Sequence, residues 1–149
     1  MQALTAPFAK NEGVVFHNIS TGLPSPIGHY CHAAELPNGI VLLSGIKAWK
    51  SETGSLIEGD VQEQARLIFR HVDTLLDAIG LARNAIYKVS CHLANVHDYE
   101  VFNRCYGDWL GAHRPARTVL EGYSLRGGAK LELVVEAFRV RAGAQAEFA

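Results

Sequence analysis

The sequence of 149 residues predicts a single α+β domain, a small mixed β-sheet with two helices packed on one face. Two segments, residues 60–79 and 98–112, carry apolar side chains at helical spacings. The segments around them alternate or run apolar, as strands do. The resulting order is strands, helix, strand, helix, two strands, and two helices suffice to cover only one face of such a sheet.

The elements follow in chain order. Residues 1–13 form a flexible arm ahead of a domain over residues 14–140, and residues 141–149 form a frayed tail. The first strand falls at 14–19. A loop with two prolines and two glycines, TGLPSPIGHY, follows it. Strands at 29–36 and 40–46 flank Pro37-Asn38-Gly39, a hairpin signal, and a polar connection spans 47–59. In the first helix Val61, Ala65, Ile68, Val72, Leu75, Leu76 and Ile79 make one stripe. Asp60 and Glu63 form a capping box at its start, and Gly80 stops it. Residues 86–96 alternate as a strand. Tyr99, Phe102, Tyr106 and Trp109 line one side of the second helix. Strands at 117–124 and 130–140 close the chain. In the last, Leu131, Leu133 and Val135 alternate with Val134 and Phe138, so both faces are apolar. A sheet that is dry on both faces predicts a homo-oligomer.

Composition narrows the function. The formal net charge is −1, so no basic surface recommends a nucleic-acid partner. No stretch reaches the ~18 apolar residues of a membrane span, and no leader pattern opens the chain, so a cytoplasmic protein is expected. Cys31, Cys91 and Cys105 lack a CxxC spacing, which indicates neither a disulfide framework nor a zinc cluster. His29 and His32, three apart on a strand, would point to opposite faces and do not suggest a metal site. Nucleotide-loop, zinc-protease and nucleophile-elbow motifs are absent.

The closing strands hold the residues suited to chemistry. Alternation places Arg117, Val119, Glu121 and Tyr123 on one face, and Glu132, Val134, Glu136 and Phe138 on another. A hairpin joining the two strands would set Arg117 across from Glu136 and Glu121 across from Glu132. Such a group reads either as a solvated salt-bridge network or as an anion pocket. In the second case a guanidinium fork holds a carboxylate and a glutamate orients water.

Pro115-Ala116-Arg117-Thr118-Val119, followed by Leu131-Glu132-Leu133, resembles the C-terminal signature of the RidA/YjgF family of reactive-intermediate deaminases. The likeness extends to Pro26-Ile27-Gly28-His29-Tyr30, Ser44-Gly45, Gln64-Ala65-Arg66, and Asp98-Tyr99 through Asn103 and Tyr106. It implies a sheet-and-two-helix fold of the bacterial chorismate-mutase type, assembled as a barrel-like homotrimer with clefts at the interfaces. It also implies hydrolysis of enamines and imines, such as 2-iminopropanoate, to keto acids and ammonia, with neither metal nor organic cofactor. By position, Arg117 would hold the substrate carboxylate and Glu132 the attacking water, with Glu136 as the alternative. Tyr30, Gly45 and Asn103 would line the cleft. Thr118, Ile46 and His29 depart from the family's usual residues, which leaves room for a larger amino-dienoate such as 2-aminomuconate. A carboxylate-binding protein without turnover, or a ribonuclease, are the other activities the resemblance allows.

Overall fold

A computed structural model of the chain describes residues 13–141; the rest of the expected arm and tail lies outside the described residues. Six strands form one sheet: β1 (Val15–His17), β2 (Ala33–Glu35), β3 (Ile40–Leu43), β4 (Ile86–Leu93), β5 (Ala116–Glu121) and β6 (Leu131–Phe138). Their spatial order is β1-β2-β3-β6-β4-β5. Helices α1 (Val61–Ala78) and α2 (Tyr99–Leu110) pack against one face, as the element order predicts.

Each helix and hairpin has a local cause. The Asp60 carboxylate accepts the Glu63 N–H at 2.9 Å and the Glu63 carboxylate accepts the Asp60 N–H at 2.9 Å, closing the predicted capping box. Gly80, with φ of 73°, turns the chain out of α1. Asn38-Gly39 joins β2 to β3 as an antiparallel pair. The expected strand at 29–36 shortens to Ala33–Glu35, because the His32 ring accepts the Ile19 N–H and reaches the Pro24 carbonyl, holding that stretch as a loop. The connection at 47–59 is more ordered than its polarity suggests: Ala48 is buried, and Trp49 bridges to Leu56.

The expected hairpin of the two last strands does not form. β6 inserts between β3 and β4, antiparallel to both, and β5 lies at the sheet edge, parallel to β4. Helix α2 supplies the crossover that a parallel pair requires. Residues 122–130, with a 3₁₀ turn at Arg126–Gly128, make a link long enough to step across β4. Arg117 therefore stands beside Val89, and Glu132 beside His92. The predicted convergence of Arg117 with Glu121, Glu132 and Glu136 is overturned.

The two faces of the sheet differ. Leu131, Leu133, Val135 and Ala137 of β6, with Val89, Cys91 and Leu93 of β4, are wholly buried under the helices. Phe69 stacks on Trp109 between the helices, with centroids 4.4 Å apart. The other face carries Glu132, Val134, Glu136 and Phe138 beside Ser90, His92, Leu42 and Leu120, several of them half-exposed. Among the described residues no helix is long and apolar enough to cross a membrane.

A buried carboxylate secures the β1–β2 edge. Glu35, 6% exposed, accepts from Arg139 at 2.8 Å and from Arg141 at 3.3 Å, and meets the His17 ring at 3.1 Å. Hydrogen bonding from Arg139 outweighs burial and, with His17, holds its pKa below the ordinary 4.5. Glu35 thus contributes stability that is present above pH 4.5 and lost as pH falls through its folded value. Glu35→Gln is expected to cost about 2 kcal/mol at pH 7 and to flatten that acid slope in urea-unfolding midpoints. His71 behaves differently. Its buried ring donates to the Trp49 carbonyl at 2.8 Å, and burial lowers its pKa below 6.5. The unfolded chain therefore takes up that proton first, and stability falls as pH drops below 6.5 toward the folded value. His71→Gln should remove this pH dependence, read from thermal midpoints between pH 7 and 5.

Candidate functional site

Two groups of polar side chains stand on opposite faces of the sheet. The first surrounds Arg117. Its strand neighbour Val89 points into the helical layer, so Arg117 points there too, at the edge where β5 meets α2. Tyr99 and Tyr106, seven apart on α2, face it. The guanidinium carbon lies 4.8 Å from the Tyr106 ring centroid and 6.0 Å from that of Tyr99, and Nη2 donates to the Tyr99 hydroxyl at 3.2 Å. The aromatic faces hold the cation electrostatically without neutralising it. Among the described residues no carboxylate forms an ion pair with Arg117. Asn103 lies between the two tyrosines in the same helical stripe, half-buried. The Tyr106 hydroxyl is buried without a hydrogen-bond partner, and burial pushes its pKa up to about 12.

The second group surrounds Glu132, on the face without helices. Ile46 bridges to Leu133 by a reciprocal pair of backbone hydrogen bonds, 2.8 and 3.0 Å, which draws the strand-end segment Ser44-Gly45 alongside β6. The Glu132 carboxylate then rests directly on the Gly45 α-carbon; a β-carbon there would collide with Oε1. Lys47 donates to the same oxygen at 3.0 Å. Tyr30, Ser44, Gly45, Ile46 and Lys47 line one small cavity that runs on to His71 and Leu75 of α1, and Glu132 is not part of its lining. Ser44 is fixed by its hydroxyl, which donates to the Cys31 carbonyl at 2.6 Å, and the Tyr30 hydroxyl accepts the Ile27 N–H at 3.3 Å.

The structure therefore sets Glu132 against Gly45, which shares a cavity with Tyr30, and gathers Arg117 and Asn103 elsewhere. Glu136 belongs to neither. It accepts from the Tyr87 hydroxyl at 3.1 Å and lies 3.8 Å from Lys88, as part of an exposed polar network. Sequence reasoning overlooked Lys47, which sits in a connection without periodicity. It also did not connect Tyr99 and Tyr106 with Arg117, although the spacing of Tyr99, Asn103 and Tyr106 was a usable signal. Cys105 is half-buried on α2, and among the described residues no three His, Cys, Asp or Glu side chains group as metal ligands.

Comparison with known proteins gives these positions a context. Over 118 residues the chain is 33% identical to a RutC family protein of Aquifex aeolicus, covering 78% of this chain and 93% of that one. It is 28% identical over 114 residues to the 2-iminobutanoate/2-iminopropanoate deaminase of Mus musculus, covering 76% and 84%. The crystal structure of E. coli TdcF with bound serine superposes with a TM-score of 0.74 at 30% identity, over 83% of this chain and 99% of that one. The profile of the family described as Endoribonuclease L-PSP matches residues 21–139, within which both polar groups fall, and the chain belongs to that family.

Proposed function

We propose that the protein hydrolyses the imines and enamines of 2-amino acids to 2-keto acids and ammonia, in clefts formed between copies of the chain. The observation that carries this reading is Arg117, an uncompensated guanidinium seated on two tyrosines at a sheet edge. A planar fork of this kind takes a substrate carboxylate by two charge-assisted hydrogen bonds. Relatives named as imine deaminases, and a related structure with a bound amino acid, support a small carboxylate as ligand.

The chemistry asks little more than orientation. Water adds to the carbon of the C=N bond, and the π electrons move to nitrogen. A carboxylate beside the water takes one of its protons and returns it to the nitrogen. The hydroxyl of this carbinolamine then gives its proton to the nitrogen, and the C–N bond breaks, releasing ammonia as the C=O forms. An enamine enters the same route after taking a proton on its β-carbon and losing one from nitrogen. Glu132, backed by Gly45, suits the carboxylate role, and Tyr30 and Asn103 suit the cleft walls. Arg117 and Glu132 lie on opposite faces of one sheet, so they meet only if a second copy presents its own residue. The half-exposed apolar side chains on the same sheet face as Glu132 (Leu42, Leu120 and Phe138) favour covering that face with further copies, as a homotrimer.

Ribonuclease action finds less support. Four of the seven histidines are occupied as structural ties: His17 to Glu35, His32 to Ile19 and Pro24, His71 to Trp49, and His113 to Ile86.

With 2-iminopropanoate generated in situ, Arg117→Ala should lower kcat/KM by at least about 10²-fold. Glu132→Gln should lower kcat by a similar factor while the keto-acid product still binds. Retained hydrolysis in Arg117→Ala would sink the reading. Unchanged turnover in Glu132→Gln would remove its role, and a wild type that binds keto acids without turnover would mark a binding protein. A panel of larger enamines, 2-aminomuconate included, then ranks the substrates. Mixing the two inactive variants under conditions of subunit exchange should restore activity, because some clefts then pair an intact Arg117 with an intact Glu132. If mixing restores nothing, the shared cleft is wrong.

A further inference from the structure

We propose that Lys47 is a positioning residue for the hydrolysis, fixing one oxygen of Glu132 so that the other is free to hold the attacking water. This rests on the deaminase reading of Glu132. The Lys47 ammonium stands 3.0 Å from Glu132 Oε1, and both side chains are largely buried, at 15% and 21% exposure. The same oxygen lies against the Gly45 α-carbon. Oε1 is thus confined by a cation on one side and by backbone on the other. Among the described residues Glu132 has no further hydrogen-bond partner, which leaves Oε2 unengaged.

The confinement is built into the sheet. Ile46 exchanges both backbone hydrogen bonds with Leu133, so the neighbours Lys47 and Glu132 are carried by one rung of the ladder. Ala48, next in the chain, is fully buried and anchors the other side of Lys47. With the backbone rooted in this way, only the side chain's own rotamer freedom remains to be lost in reaching its partner. On the same face His92 of β4 stands opposite Glu132 in register, and Lys88 is four residues away along β4, opposite Glu136. Neither makes a hydrogen bond or ion pair with Glu132, so Lys47 alone among the described cations holds it. A water seated on an unconfined carboxylate would sample many positions relative to the C=N carbon, and misplacement of about 1 Å can cost about 10²-fold in rate.

The test is a double-mutant cycle with generated 2-iminopropanoate, comparing Lys47→Met, Lys47→Arg, Glu132→Gln and the Lys47→Met/Glu132→Gln pair, with melting temperatures to confirm folding. Lys47→Met is expected to lower kcat about 10-fold or more with a smaller change in KM. Lys47→Arg, which keeps the charge and donor, should recover most of the loss. In the Glu132→Gln background Lys47→Met should cost nothing further, since its effect passes through that carboxylate. Losses that multiply, a change confined to KM, or full activity in Lys47→Met would each overturn the positioning role and leave the deaminase reading standing. A wild type that hydrolyses no imine would overturn both.

Discussion

The two helices cover one face of the sheet, so β6, at its middle, must be dry on every second residue and free on the others. Leu131, Leu133, Val135 and Ala137 meet that demand with complete burial, and their burial fixes the register of the whole strand. A slip by one residue would drive Glu132 and Glu136 into the helical core and expose four apolar side chains. The carboxylate of Glu132 is therefore placed by the leucines beside it, and its own interactions with Gly45 and Lys47 only refine a position that packing has set. The edge strand β5 inherits the same constraint through β4. Val89 and Cys91 face the helices, so Arg117 and Val119 do too.

Charges on the helical side are tolerated because each has a specific mode of support. Arg83 is clamped by Asp73 at 2.8 and 2.9 Å, and Asp73 also accepts from the Trp109 indole. Glu35 gathers the guanidinium groups of Arg139 and Arg141 and the ring of His17. Arg117 receives only aromatic faces and a phenolic oxygen, support that keeps a guanidinium in place while leaving its charge available. That difference separates a structural arginine from one suited to binding, and it rests on the partners each cation has within the fold.

Much of this architecture was legible in the sequence, where local rules decide it. Asp60 and Glu63 announced α1, Asn38-Gly39 announced the β2–β3 turn, and alternation in β6 separated its buried and free residues. The neighbour of each strand was not legible. Alternation states which residues share a face, yet nothing in residues 116–138 says that β6 passes over β4 to reach β3. The expected hairpin of Arg117 with Glu136 failed for that reason. Within the site, Arg117 and Glu132 stood out as charges on strands of apolar pattern, whereas Asn103 came from the family resemblance alone. Lys47 did not, because its significance comes from a bridge between Ile46 and Leu133 that spans most of the chain.

Gly45 carries a consequence for how this sequence can change over time. The space its missing side chain leaves is filled by the Glu132 carboxylate, so a β-carbon at position 45 would push that carboxylate out of its present place and into another rotamer. A descendant that replaces Gly45 keeps an acid at 132 only with its carboxylate moved. The glycine thereby serves as a heritable marker of the carboxylate, and its loss in a homologous sequence signals that the acid has been displaced from this place.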